Sequence, residues 1–350
     1  MSAKSTQQLQ LGTSTKTGRE GFEEIVTSHR GKLLAHCYRF TGSLHDAEDL
    51  VQETMLRAWR AIDRFESRSS LQSWLYRIAT NVCLTAVRRK ASARRVLPDN
   101  VGGPTSRMPI GGPSTTDIPW IEPLPDSMLE NLTDASPGPA ARYELRETIR
   151  LAFIAATQQL PARQRAVLLL CDVLGWSASE TAETLSMSVA SVNSALQRAR
   201  GTMGKGLSAE DVRDSAGAEG RHRSIAHKYA DAWESTDLKG LVSLLAKDAS
   251  LVMPPFSEWY LGRAAIRTFI GWFYDWSWNE GIRGAFRMVP TQANGQFALG
   301  SYARLRPATK FQARALHVLS FRKGKIHRIT IFVGAKFFSK FGLAPELGAG

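Results

Sequence analysis

Residues 174–200 read LGWSASETAETLSMSVASVNSALQRAR, and they indicate one part of the fold directly. Ser177 and Glu180 have the spacing of a capping box, which predicts a helix that begins just after Ser177. Ser186 and Met187 predict a short turn, and Ser188 is suited to cap a second helix. Two short helices joined by a tight turn are therefore expected at this place.

The second helix is expected to bury Val189, Val192, Leu196 and Ala199. Its outer face carries small residues, which let a helix approach closely, and amide and guanidinium groups, which pair with base edges in the major groove. Arginines near its end are placed to meet phosphates. The pattern predicts a helix-turn-helix, with an ordinary helical hairpin as the alternative. The candidate DNA-reading residues are Ser188, Ala190, Ser191, Asn193, Ser194, Gln197, Arg198 and Arg200.

The composition agrees with a nucleic-acid partner. The 350 residues carry a formal net charge of +13, and a basic surface attracts polyanions, although a basic soluble enzyme has the same charge. The length suits two or three domains. The three cysteines are far apart and lack a metal-binding spacing, so we expect no metal or cofactor and a reducing, cytoplasmic setting. No apolar run is long enough to cross a membrane.

Composition and periodicity divide the chain into segments. A polar, disordered tail is predicted over residues 1–19, and a helical module over 20–95. A Pro- and Gly-rich linker follows over 96–140, then a second helical module over 141–207 and a tether over 208–220. Residues 221–342 begin with helices and continue as alternating segments separated by the turns Asn294-Gly295 and Lys323-Gly324, which predicts an α+β domain with antiparallel hairpins.

The first helical module contains DAEDLVQETMLRAWRAIDRFESRSSLQSWLYRIATNVC, residues 46–83. Its first helix has an apolar face opposite an acidic one, with a predicted cap at Ser43. Its next helix presents hydrogen-bonding and cationic groups that could lie along a phosphate backbone. For the first helix taken alone, a solvated amphipathic helix with a Glu53–Arg57 pair is the alternative.

This quoted segment resembles region 2 of the extracytoplasmic-function (ECF) sigma factors, and residues 142 to about 205 resemble sigma region 4. The resemblance implies a protein that binds core RNA polymerase and promoter DNA. It departs mildly at Met55 and Thr85, which stand where aromatic and acidic residues are common. The implied polymerase-binding residues are Asp46, Glu48, Asp49, Gln52 and Glu53. The implied −10 residues, which include a base-capturing loop, are Arg64, Phe65, Glu66, Ser67, Arg68, Ser69, Ser70, Ser73, Arg77, Asn81, Arg88 and Arg89. Region 4 would read the −35 element through the residues of its second helix named above.

The last segment resembles the SnoaL-like α+β cone, a fold that leaves an apolar pocket with room for a small-molecule ligand. Asp248, His317 and His327 are its candidate acids and bases, but no pair of them is evident. We therefore expect a regulatory domain rather than an enzyme. The alternatives are a SnoaL-like enzyme fused to a DNA-binding regulator, or a plain helix-turn-helix transcription factor. The linker segment WIEPLPD, residues 120–126, is either part of a loose tether or a segment that threads into polymerase.

The sequence as a whole thus predicts a multidomain fold: two all-α modules, sigma regions 2 and 4, followed by an α+β SnoaL-like cone.

Overall fold

A computed structural model describes residues 21–65, 70–89, 94–108, 118–132, 146–206, 218–279, 285–304 and 307–348. The predicted tail over 1–19 lies outside these residues, as does most of the predicted tether over 208–220. The three predicted modules follow one another in the expected order.

The N-terminal module consists of three helices: α1 (Phe22–Thr41), α2 (Leu44–Ala61) and α3 (Leu71–Arg89). Ser43 caps α2, because its Oγ accepts a hydrogen bond from the Asp46 N–H at 3.1 Å. The apolar stripes of the three helices face each other, and Leu33, Val51 and Leu75 are almost completely buried among them. The module thus presents polar faces of α2 and α3 outward.

The helix-turn-helix module begins with α4 (Leu151–Gln158) and α5 (Ala162–Leu168), and α5 continues into a π-helical turn over Leu169–Val173. Helices α6 (Ala178–Leu185) and α7 (Val189–Gly206) form the predicted motif. The capping box of Ser177 and Glu180 is present in full. One expectation is wrong: Val189 is 45% exposed, and Ala195 is buried beside Val192. Val189 lies in the first turn of α7, where the helix has not yet met its neighbours.

The C-terminal cone starts with α8 (Glu219–Glu234) and α9 (Leu238–Ser243). A seven-stranded sheet follows, with a helix α10 (Arg263–Asn279) inserted after its second strand. The strands are β1 (Leu245–Val252), β2 (Trp259–Leu261), β3 (Phe286–Ala293), β4 (Gln296–Ala303), β5 (Phe311–Arg322), β6 (Lys325–Val333) and β7 (Glu346–Leu347).

The order of the strands across the sheet is β2-β1-β6-β5-β4-β3, with β7 paired to β5. The hairpins β3–β4 and β5–β6 turn at Asn294-Gly295 and Lys323-Gly324, where all four residues have positive φ. That conformation matches the twist of a tight hairpin and explains the Gly at each second position. After β6, a 3₁₀ segment, Ala335–Phe341, leaves the sheet.

The linker is the main difference from expectation. Its described residues do not form a loose tether, because Ile121 and Leu124 are buried in the core that also holds α1. Val96 and Trp120 form a parallel β-bridge, so the linker folds back on itself beside the N-terminal module. Its other part lies on the cone, where the Asp99 carboxylate forms two hydrogen bonds of 2.8 Å with Arg328.

One continuous apolar core joins the three modules and the linker. It contains Leu33 of α1, Leu124 of the linker and Ile154 of α4, together with Leu316 and Phe337 of the cone. The interior of the cone has its own cluster around Tyr229 and Tyr260. The outer face of the sheet therefore packs against the two helical modules, while its inner face encloses a separate interior.

Candidate polymerase and promoter interfaces

The acidic face of α2 is partly occupied by other parts of the chain. Asp49 is 61% exposed, and Gln52 and Glu53 also remain accessible. Asp46 instead pairs with Arg95, the residue just before the linker, at 2.9 Å. Glu48 accepts two hydrogen bonds of 2.9 Å from the Lys340 Nζ of the 3₁₀ segment.

The predicted −10 surface lies along α3 and the turn before it. Asn81, Arg88 and Arg89 are exposed on α3, and the Ser70 Oγ accepts a hydrogen bond from the Ser73 N–H. Arg64 is exposed at the end of α2's 3₁₀ extension. Four residues of the predicted base-capturing loop lie outside the described residues: Glu66, Ser67, Arg68 and Ser69.

Two members of this surface have partners inside the chain. The ring of Phe65 packs against Trp74, with ring centroids 5.1 Å apart. The Arg77 Nη1 lies 3.0 Å from the Glu183 carboxylate of α6. A residue expected to contact the −10 element is thus bound to the helix-turn-helix.

The predicted −35 face is presented by α7. Ala190, Asn193, Ser194, Gln197 and Arg198 are all exposed on it. The Ser188 Oγ accepts from the Ser191 N–H at 3.2 Å and so caps the helix. Arg200 differs, because its guanidinium forms two hydrogen bonds with the Asp172 carboxylate, at 2.6 and 3.0 Å. Arg200 could contact a DNA phosphate only after this exposed ion pair with Asp172 breaks.

The turn of the β3–β4 hairpin connects all the modules. The Asn294 side chain, fully buried, donates to the Tyr38 hydroxyl of α1 at 2.9 Å and to the Ile149 carbonyl at 2.8 Å. Its Oδ1 accepts from the Leu124 N–H of the linker at 2.9 Å, and its own N–H donates to the Leu124 carbonyl. We call this set of contacts the Asn294 clasp.

Two linker carboxylates flank the clasp. Glu122 accepts from the Ser43 hydroxyl at 2.8 Å, at the N-terminus of α2, where negative charge is stabilised. Asp126 accepts from the Gly295 N–H at 2.8 Å. Burial raises the pKa of Asp126 to about 6, although the Gly295 hydrogen bond and the Arg146 charge act to lower it.

The cone encloses a cavity of about 370 Å³, lined by aromatic side chains of α8, α10 and β3. His317 lines it and forms a 2.9 Å hydrogen bond with the Tyr229 hydroxyl; burial lowers the pKa of this histidine to about 3. Asp248 is away from the cavity and pairs with Arg322 on the surface. His327 is also absent from the lining of the cavity. Of the three candidate catalytic residues, the cavity lining thus includes His317 but neither Asp248 nor His327.

Within the part of the chain that the structure describes, no group of three His, Cys, Asp or Glu side chains is placed to hold a metal ion. No helix of the same part is long and apolar enough to cross a membrane.

Three family models match the chain: Sigma-70 region 2 over residues 25–93, Sigma-70 region 4 over 150–203, and the SnoaL-like domain over 226–329. Two sigma regions followed by a SnoaL-like domain define an alternative sigma factor for transcription initiation. The chain is 41% identical over 330 residues to the ECF RNA polymerase sigma factor SigG of Mycobacterium tuberculosis, covering 94% of this chain and 85% of SigG. It belongs to the ECF RNA polymerase sigma factors.

Two further comparisons agree with this assignment. The ECF RNA polymerase sigma factor SigW of Bacillus subtilis is 30% identical and matches 55% of this chain and 91% of SigW. The crystal structure of the extracytoplasmic-function sigma factor SigJ of Mycobacterium tuberculosis superposes with a TM-score of 0.57 at 21% identity, over 92% of this chain and 99% of SigJ. The second comparison shows a shared fold that includes all three modules.

Sequence reasoning missed the residues that join the modules. Arg95, Glu122 and Lys340 carry no local signal, since a charged residue outside the α-helices and strands is usually solvated. Asn294 does have a local signal, but that signal predicts only a turn. A buried position for an Asn becomes evident only when the packing of the whole chain is known.

Proposed function

We propose that this sigma factor is held in a closed arrangement by its own cone and linker, and that it opens to bind core polymerase and both promoter elements. The observation that carries the proposal is the Arg77–Glu183 contact between α3 and α6. It joins the two modules that would read different promoter elements, and it occupies a side chain proposed to contact DNA.

The distance between the promoter elements supports the need to open. Elements about 25 base pairs apart are separated by about 85 Å of B-form DNA, at about 3.4 Å per base pair. Two small domains in contact, each about 30 Å across, reach about 60 Å at most. The linker of about 45 residues spans up to about 150 Å when extended, so it is long enough once it leaves the core.

The proposed polymerase-binding face supports the same conclusion. Lys340 covers Glu48, and Arg95 covers Asp46, so a partner that uses these carboxylates must displace both cations. Asp49, Gln52 and Glu53 stay accessible for a first encounter. The cone therefore acts as a competitor for part of the polymerase-binding surface.

The closed arrangement does not change which residues we propose to contact each promoter element. The exposed residues of α7 would read the −35 element, and α3 with the loop before it would contact the −10 element. An enzymatic role of the cone receives no support from its cavity, because His317 is held uncharged and Asp248 lies elsewhere. The cone would act on transcription through its contacts with the other modules.

The test replaces Lys340 by Glu, which sets a carboxylate against Glu48. We expect core polymerase to bind this variant several-fold more tightly than the unaltered chain, since the competing contact becomes repulsive. Lys336→Glu is the matched control: Lys336 lies on the same 3₁₀ segment, exposed, with its Nζ 4.7 Å from the centre of the Phe337 ring. Equal polymerase affinity of the Lys340→Glu and Lys336→Glu variants would contradict a covering role for Lys340.

A further inference from the structure

The cavity of the cone has an arginine in its otherwise apolar lining. Arg314 lines it, and its Nε is buried without a hydrogen-bond partner among the described residues. Arg314 as a whole is partly buried, and a polar atom that is removed from water without a hydrogen-bond partner is unfavourable. A guanidinium in this position suits an anion that comes from outside the chain.

A β-bulge places Arg314 in the cavity. On β5, Ala315 and His317 face the cavity, while Leu316 and Val318 face the core shared with the helical modules. Strict alternation would put Arg314 on the outer side with Leu316. The register between β4 and β5 shifts at this point, however, because Ser301 is paired with Ala315 and Tyr302 with Ala313. Arg314 is the extra residue, and bulges re-aim side chains in this way.

The rest of the lining is apolar. Trp233, Phe269, Phe273, Trp276 and Phe286 contribute aromatic rings to the walls. No Asp or Glu is among the described lining residues, and the low pKa of His317 leaves it neutral. The guanidinium of Arg314 is therefore the only charge that the described lining supplies. The Ser301 hydroxyl donates to the Ala315 carbonyl and is already satisfied.

From this arrangement we propose that the cone binds a small amphiphilic anion, with an apolar, preferably aromatic, body against the rings and one carboxylate or sulfonate on Arg314. The volume of about 370 Å³ is within the range of small-molecule sites, which begins at roughly 300 Å³. A carboxylate also matches the planar fork of the guanidinium, which binds carboxylates through two parallel hydrogen bonds. This site does not depend on the closed arrangement proposed above.

The test uses two fluorescent probes of nearly the same shape. 1-Anilinonaphthalene-8-sulfonate is anionic, and N-phenyl-1-naphthylamine lacks the sulfonate. We expect the full-length protein to bind the anionic probe at least about tenfold more tightly than the neutral one, as a charged hydrogen bond predicts. Naphthalene-2-carboxylate should displace the bound probe, whereas naphthalene-2-carboxamide should not.

Substitutions then assign the anion to Arg314. Arg314→Met keeps much of the side-chain volume and should weaken the anionic probe about tenfold to a hundredfold while leaving the neutral probe unchanged. Arg314→Lys should retain most of the preference for the anion. Arg267→Met is the control for the basic surface in general, since Arg267 is exposed on α10.

Two results would overturn the site. One is equal affinity of the unaltered protein for the two probes, a comparison that needs no variant and so does not depend on how any variant folds. The other is a loss of anionic binding in Arg267→Met as large as in Arg314→Met.

Discussion

A substitution in the Asn294 clasp is the most direct way to perturb the closed arrangement. Replacing Asn294 by Gly removes three side-chain hydrogen bonds, to Tyr38, Ile149 and Leu124. Glycine keeps the positive φ that this turn requires, so the backbone of the hairpin is not strained by the change. The substitution therefore isolates the contribution of the side chain.

The expected size follows from the burial of the partners. Each net hydrogen bond contributes about 1 kcal/mol, and a buried partner left without a bond costs about 1 to 3 kcal/mol. The contact between the cone and the helical modules should thus weaken by roughly 3 to 5 kcal/mol. A change of about 3 kcal/mol moves the ratio of closed to open molecules by roughly two orders of magnitude.

Two measurements check this expectation. Fluorophores attached at the exposed positions Gln72 of α3 and Lys228 of α8 report the distance between the N-terminal module and the cone. Run-off transcription with core polymerase, measured over a range of sigma concentrations, reports the active fraction. We expect a longer mean distance and a half-maximal concentration several-fold lower for Asn294→Gly.

The chain itself supplies the control. Lys323, in the other hairpin turn, has nearly the same φ, 51° against 56°, and is also followed by Gly. Lys323→Gly changes the same kind of turn without touching the clasp. Equal distances and equal transcription for Asn294→Gly and Lys323→Gly, with both proteins folded, would contradict a role of the clasp in holding the closed arrangement.

Three further predictions concern the helical modules and the linker. Reversing the charge of Asp49 and Glu53 together should abolish co-purification with core polymerase and leave thermal unfolding unchanged, because both side chains are accessible; retained binding would contradict the polymerase assignment. Gln197→Ala should relax base selection in the −35 element by about 1 to 3 kcal/mol, whereas a loss of affinity that is uniform over all sequences in a promoter-binding assay would count against groove reading. Asp126 has a pKa raised from 3.8 to about 6, so its contribution to stability is complete below about pH 4 and is lost as the pH rises through 6. Asp126→Asn should therefore stabilise the protein at pH 7.5 by roughly 2 to 3 kcal/mol, and a difference in melting temperature that does not change between pH 5 and 8 would contradict this.

The modules could be predicted from the sequence because their signals are local. The capping box of Ser177 and Glu180 and the period of α7 depend on residues within two turns of helix. The exposed Val189 is an exception, since periodicity shows which side of a helix is apolar but not which of its positions meet a neighbour. The signals for the two hairpins of the cone are equally local, because Asn294-Gly295 and Lys323-Gly324 each predict a tight turn.

The arrangement of the modules could not be predicted in the same way. Arg77 and Glu183 are distant in sequence, and each sits on a polar helix face of ordinary composition. Arg314 is a similar case, since strict alternation along β5 assigns it to the opposite face of the sheet. A bulge depends on the register between two strands, and the sequence of one strand alone does not determine that register.

The position of Arg314 also connects the cavity with the polymerase-binding face. The Arg314 carbonyl accepts a hydrogen bond of 2.7 Å from the Gly334 N–H, and Gly334 precedes the 3₁₀ segment that carries Lys340. An anion that draws the bulge at Arg314 toward the cavity therefore also acts on Gly334, which anchors the 3₁₀ segment. Such a ligand is coupled to polymerase if it binds the closed and open arrangements with different affinities. Bound polymerase must then change the affinity of the protein for the ligand by the same factor as the bound ligand changes the affinity of the protein for polymerase. The sign of that coupling can therefore be measured from either side: by titrating the ligand with and without core polymerase, or by titrating polymerase with and without the ligand.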